Sequence, residues 1–248
     1  MNQYNTDFFL EDLKELDITL SEKQLGQFLR YYELLVEWNE RMNLTAITEY
    51  RDVLKKHFVD SLSLTKAYDM SLALTKTGNH PLSLIDIGTG AGFPGLALKI
   101  AFPGLAVTLL DSLNKRVQFL DAVIGELGLE GVNTVHGRAE DYAKPGQLRE
   151  GFDLCVSRAV ARLSTLSEYC LPFVKQGGVF IAYKSEKASE EVAEAEKAFF
   201  LLGGQLEKRV EFELPNSDIH RDFILVKKVK TTPKKFPRKA GLPGREPL

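Results

Sequence analysis

The chain has 248 residues, of which 44% are hydrophobic and 27% charged, a balance that suits one soluble domain with a small annex and a core that needs no staples. No apolar run approaches the roughly 18 residues that cross a bilayer, and Cys155 and Cys170 are too few and too unpatterned for a disulfide scaffold or a zinc site. The formal net charge of -2 argues on its own against a nucleic-acid partner, yet eight basic residues and no acid lie between Lys227 and Arg245, and a localised basic stripe binds phosphates whatever the total charge.

The opening MNQYNTDFFLEDL carries acids and no basic segment, unlike a secretory leader, so the cytoplasm is the expected compartment. The first 80 residues read as helical. Ser21 and Gln24 form a capping box before a helix in which Leu25, Phe28, Leu29, Tyr32, Leu35 and Val36 recur at helical spacing. A break at 42–45 follows, then a second helix from about Thr48 to Tyr68 with Val53, Leu54, Phe58, Leu62 and Leu64 on its inner side. The polar, turn-rich stretch from Tyr68 to Pro81 reads as a link.

From Leu82 onward strands and helices alternate. LSLIDIG (82–88), AVTLLDS (106–112), VNTVHGRAED (132–141), FDLCVSRAV (152–160) and GGVFIAYKS (177–185) read as five strands. The helices between and after them are FPGLALKIAF, NKRVQFLDAVIGELG closed by Gly128, a segment about Leu163–Val174, and KASEEVAEAEKAFFLLG. This is the rhythm of a doubly wound parallel sheet with helices on both faces. The end departs from it: QLEKRVEFELP and RDFILVKKV are joined by a short polar segment and must run antiparallel. The expectation is an α/β, Rossmann-like sheet of seven strands, mostly parallel, with one reversed near its edge.

The densest signal is Asp86-Ile87-Gly88-Thr89-Gly90-Ala91-Gly92-Phe93-Pro94-Gly95, between the first strand and its helix. Glycines there let the backbone turn sharply and approach a ligand closely. Asp111, at the end of the second strand, can accept both hydroxyls of a ribose. These two features suit either a nicotinamide cofactor or S-adenosylmethionine. Three others favour the methyl donor: Asp86 inside the strand, where dehydrogenase fingerprints carry an apolar residue; Ala139-Glu140-Asp141, placed to read an adenine edge; and Ser157-Arg158, at the mouth where a methyl acceptor would sit. All lie at carboxyl ends of strands, where open α/β sheets bind ligands.

Alternative chemistries lack their residues. Methylation of an adenine amino group relies on an Asn/Asp-Pro-Pro-aromatic segment where this chain reads Ser157-Arg158-Ala159-Val160. Carbon-5 methylation of a pyrimidine needs a cysteine nucleophile, whereas Cys155 and Cys170 read as small core residues. No catalytic acid, base or nucleophile is assigned. Lys184, at the rim of the fifth strand, and Arg238 and Lys239 in the tail are the candidate RNA contacts. Arg158 can serve the donor's carboxylate or an RNA phosphate. His57 has no ligand spacing around it and reads as structural, so no metal is expected.

VDSL at 59–62, DIGTGAGFPG at 86–95, GRAED at 137–141, SRAV at 157–160 and the terminal RKAGLPGREPL resemble the bacterial RsmG (GidB) family of small-subunit rRNA guanine-N7 methyltransferases. The likeness runs over nearly the whole chain. It implies an enzyme that methylates N7 of a guanine in 16S rRNA, with S-adenosylmethionine contacted by Gly88, Phe93, Ala139, Glu140 and Arg158. The expected organisation is an N-terminal helical extension (1–80), a methyltransferase domain (81–230) and a basic tail (231–248), in a monomer whose partner is 16S rRNA or the small ribosomal subunit. The competing readings are a small-molecule methyltransferase and a non-catalytic RNA-binding assembly factor.

Overall fold

A computed structural model of the chain describes residues 4–73, 81–185 and 188–248. Residues 74–80 of the expected link, and Lys187 at the start of one expected helix, lie outside them. The sheet has seven strands: β1 (Ser83–Ile87), β2 (Ala106–Asp111), β3 (Val132–His136), β4 (Phe152–Arg158), β5 (Val174–Lys184), β6 (Gly204–Glu213) and β7 (His220–Lys228). Their order is β3-β2-β1-β4-β5-β7-β6. Only β7 is reversed, pairing antiparallel with β5 and β6. The order turns back between β1 and β4, and that switch point is where doubly wound sheets open a crevice for ligands.

Strand alternation sorts side chains into two cores, because successive residues point to opposite faces. Leu154 and Val156 of β4, Ile181 and Tyr183 of β5, and Phe223 and Leu225 of β7 face one core. Cys155, Phe180, Ala182, Ile224 and Val226 face the other. The first face is covered by α1 (Asp7–Lys14), α2 (Glu22–Met42), α5 (Gly95–Ala101) and α6 (Asn114–Leu127) together with a continuous helical stretch from residue 50. That stretch comprises α3 (Tyr50–Val53), a π turn (Leu54–Val59), α4 (Asp60–Leu62) and a 3-10 turn (Ser63–Lys66). The second face carries α7 (Ala139–Tyr142), α8 (Leu163–Cys170) and α9 (Ala188–Leu201), and the chain ends in α10 (Leu242–Arg245).

The N-terminal helices share one core with the sheet. Phe9, Phe28, Tyr31 and Phe58 pack together beside Phe93. The capping box at Ser21 and Gln24 is present, and the Gln24 amide also donates to the carbonyls of Ile100 and Ala101, 2.8 and 3.1 Å away. It therefore caps α2 and satisfies two C-terminal carbonyls of α5, groups that have no partner within their own helix. The buried stripe of α2 runs through Phe28, Leu29, Tyr31, Leu34 and Leu35, so it is turned from the expected one: Tyr31 and Leu34 point inward in place of Tyr32 and Val36. GRAED also differs from expectation, since β3 stops at His136 and Ala139 begins a helical turn. No helix among the described residues is long and apolar enough to cross a membrane.

Candidate active site

β1 ends at Ile87, and the chain turns through Gly88 and Gly90 at φ 69° and 61°, the left-handed region that residues with side chains rarely adopt. Asp86 closes this loop from within. Its Oδ2 accepts from the Thr89 hydroxyl at 2.7 Å and from the Gly95 N–H at 2.9 Å. A Cβ at Gly95 would stand 2.9 Å from that same oxygen, so only glycine allows the approach. Oδ1 of Asp86 is buried with no hydrogen-bond partner among the described residues. Burial pushes the carboxyl up to about 6, against the opposing bonds from Thr89 and Gly95. Asp111 pins the other side of the loop: its Oδ2 accepts from the Gly90 N–H at 2.9 Å and from Arg116 at 3.3 Å, and its Oδ1 from the Leu113 N–H at 2.9 Å.

The loop is also held by α2. The Tyr31 hydroxyl donates to the Ala91 carbonyl, and its ring stacks on Phe93 at 5.2 Å. His57 stacks on Phe93 at 4.6 Å, so the phenyl ring is gripped between two aromatics.

Two cavities meet at the carboxyl ends of the strands. One, of about 230 Å³, is lined by Gly88, Ser112, Ala139, Glu140, Val160 and Tyr169, among others. Val160 leans over its floor, since a Cβ at Gly88 would lie 2.6 Å from Val160 Cγ2. The second, of about 380 Å³, is lined by His57, Asp60, Arg158, Tyr183, Lys184 and Arg221, among others. The bend after β4 forms a common wall: Val160 faces the first cavity, while Ala159 and Ala161 line the second. Ala159 sits at φ 56°, a left-handed conformation that costs a residue with a side chain about 1–2 kcal/mol.

The second cavity is organised by Asp60, which is almost fully buried. Its Oδ2 accepts from Arg158 at 2.7 Å and its Oδ1 from Arg221 at 2.7 Å. Arg158 also donates to the Lys56 carbonyl at 3.2 Å, and its guanidinium lies 5.3 Å from the Phe93 ring centre. The π turn places His57 and Asp60 here, an irregularity that often marks functional sites. Burial, seconded by the Arg158 charge, lowers His57 to about 4, and its Nε2 sits 2.9 Å from the Thr45 hydroxyl. Lys184 reaches this cavity but is paired with Glu191 at 2.6 Å and with the Ala161 carbonyl at 3.0 Å.

The structure thus gathers Gly88, Ala139 and Glu140 into the first cavity and puts Arg158 and Lys184 in the second. Phe93 forms the packed floor beside Arg158, and Asp111 braces the loop. Arg238 lies elsewhere than an RNA-facing reading needs: its guanidinium grips the fully buried Glu168. Lys239 is the exposed cation of that pair. Sequence reasoning missed Tyr31, Asp60, Val160 and Arg221. The VDSL and SRAV segments contained Asp60 and Val160, but neither gave a hint that Asp60 would bridge two arginines from β4 and β7 or that Val160 would lean over Gly88.

A family model described as "rRNA small subunit methyltransferase G" matches residues 24–220. The chain belongs to that family. A Lachnoclostridium phytofermentans protein called "Ribosomal RNA small subunit methyltransferase G" is 55% identical over 240 residues, covering 97% of this chain and 96% of that one. Proteins of the same name from Staphylococcus carnosus and Lactococcus lactis are 51% and 50% identical, each with 98% of both chains covered. Among solved structures, a Haloferax volcanii complex of the Trm112 methyltransferase activator with a methyltransferase aligns with a TM-score of 0.56 at 14% identity, covering 79% of this chain and 98% of that one. That likeness concerns the fold alone. With the family established, the glycine loop is that of a methyltransferase, and the dehydrogenase reading falls.

Proposed function

We propose that this protein transfers the methyl group of S-adenosylmethionine to N7 of a guanine in 16S rRNA, acting as a monomer in the cytoplasm. One observation carries the reading: the glycine-floored cavity and the cationic cavity share a wall at the switch point of the sheet. A donor in the first and a base in the second would bring the methyl group and its acceptor together at the edge of that wall, where the two cavities adjoin.

The first cavity fits the donor. Gly88, Ala139 and Glu140 surround the space for its nucleoside half, with Leu110 and Ser112 lining it on either side of Asp111, whose carboxylate is turned to the loop. The unpartnered Asp86 Oδ1 is a buried acceptor of the kind that an ammonium group satisfies. When bound, the donor supplies an electrophilic methyl on a sulfonium.

The residues of the second cavity then have a positioning task. Guanine N7 carries an in-plane lone pair, so catalysis needs the reacting atoms held about 3–3.5 Å apart and in line, with no proton to remove. The side chains agree with that. His57 stays neutral above about pH 4, Asp60 is bridged by two arginines, and both cysteines are buried. N7 methylation leaves a positive charge on the purine, and the Asp60 and Glu191 carboxylates lining this cavity are negative charges that can stabilise it. Arg158, Lys184 and Arg221 make the rim attractive to phosphate, with exposed Lys239 as a further RNA contact. The test is transfer of label from methyl-labelled donor to small-subunit rRNA taken from cells without the protein. Incorporation into RNA, with a pH–rate profile lacking the basic limb of a general base, is expected. Methylation of free small molecules in preference to RNA contradicts it.

A further inference from the structure

We infer that the C-terminal segment 236–248 is the outer support of the donor cavity, and that Arg238 is a positioning residue for S-adenosylmethionine rather than a contact to RNA. The inference rests on the assignment of the donor to the cavity floored by Gly88.

Glu140 lines that cavity and is 5% exposed. Among the described residues its carboxylate accepts a hydrogen bond from the Gly241 N–H at 2.8 Å. Gly241 is at φ 82°, the left-handed cap of α10, so the N–H is aimed by a turn that favours glycine. Tyr169 lines the same cavity from α8, and the tail braces that helix as well. The Thr165 hydroxyl donates to the Pro243 carbonyl at 3.1 Å. A Cβ at Gly244 would stand 3.5 Å from the Tyr169 hydroxyl. One segment thus touches both α7 and α8, the two helices that supply the adenosine side of the cavity.

Arg238 fixes the segment in place. Its Nε and Nη2 fork onto Glu168, with Nη2 to Oε2 at 2.7 Å, and its backbone N–H donates to Oε1 at 2.7 Å. Nη2 also donates to the Glu246 carbonyl at 2.7 Å, which closes the tail on itself. Glu168 is fully buried, next in sequence to Tyr169. A buried carboxylate in a planar two-pronged pair is geometrically demanding, and lysine does not reproduce it. Upstream, Arg149 donates to the carbonyls of Thr232 and Phe236, and Phe236 is packed into the second core. Lys228, another member of the basic stripe, points inward to the Leu171 carbonyl at 2.6 Å. The stripe therefore divides: some of its cations hold the tail to the body, and the remainder face solvent.

The test compares Arg238→Ala, Arg238→Lys and Gly241→Ala with the unaltered protein, each checked for an intact fold by circular dichroism. Donor affinity is measured by calorimetry with S-adenosylhomocysteine, and KM is measured separately for donor and for rRNA. Arg238→Ala should weaken donor binding at least tenfold with the KM for rRNA unchanged within twofold. Arg238→Lys should recover part of the loss. Gly241→Ala, which leaves the Arg238–Glu168 pair in place, should weaken donor binding severalfold by moving the N–H away from Glu140. Normal donor affinity in folded Arg238→Ala, with a raised KM for rRNA, would overturn the inference. Gly88→Val separates the two layers: if it abolishes donor binding while Arg238→Ala does not, the tail's role alone is wrong. If both variants bind donor normally, the cavity assignment fails as well.

Discussion

Asp86→Asn removes a charge from the base of the glycine loop and leaves its shape. The amide oxygen can take the Oδ2 position and keep the bonds from the Thr89 hydroxyl and the Gly95 N–H, while the NH2 group falls where Oδ1 now has no partner. In the free protein the carboxyl is raised from 3.8 to about 6. Between those pH values the folded chain holds a proton that the unfolded chain has released, so stability falls as pH rises and levels off above about 6. At 1.36 kcal/mol for each pH unit, the interval amounts to about 3 kcal/mol, an upper figure for a group whose environment relaxes. The asparagine variant lacks this slope. Urea unfolding at pH 4.5 and pH 7.5, which spans about 1.5 units of that interval, should show the unaltered protein losing about 2 kcal/mol more than the variant on going to the higher pH. Calorimetry at pH 7.5 should show the variant binding S-adenosylmethionine more weakly, because the buried negative charge that an ammonium group matches is gone. Equal pH slopes in the two proteins, with equal donor affinity, would refute both the raised carboxyl and its part in the site.

Three further outcomes follow from the same geometry. Gly88→Val puts a branched side chain at φ 69° against Val160, and should cost about 1–2 kcal/mol of stability and abolish donor binding by calorimetry. Arg158→Ala leaves Asp60 with Arg221 alone, which should cost about 1.5–3 kcal/mol in denaturant unfolding and most of the methylation rate. Tyr31→Phe keeps the stack on Phe93 but leaves the Ala91 carbonyl without its partner, and should cost about 1–3 kcal/mol together with a measurable loss of donor affinity.

Much of the sheet was legible because its signals are local. Alternation, glycine punctuation and the short connection between β6 and β7 each act within a few residues of one another. The glycine loop and the strand end at Asp111 were readable in position for the same reason, a fixed spacing between a tight turn and a strand end. What escaped depends on contacts far apart in the chain. Periodicity put Tyr32 on the inner side of α2, whereas Tyr31 is the one turned inward and reaches the Ala91 carbonyl, 60 positions away. Asp60 looked like a residue of an ordinary helix because the π turn just before it leaves no strong sequence mark. Arg238 read as an RNA contact, since nothing near it announces that Glu168, 70 positions earlier, is buried and in need of a partner. Net charge and charge runs describe what a surface can attract, and they are silent about which of its cations are turned inward.

The identity of the methylated product decides the reaction. Small-subunit rRNA from cells with and without the protein, digested to nucleosides and analysed by mass spectrometry, measures it directly. One 7-methylguanosine should be present with the protein, lost without it, and restored when purified protein and S-adenosylmethionine are added back. A restored methyl on an exocyclic amine or on carbon 5 of a pyrimidine would contradict it.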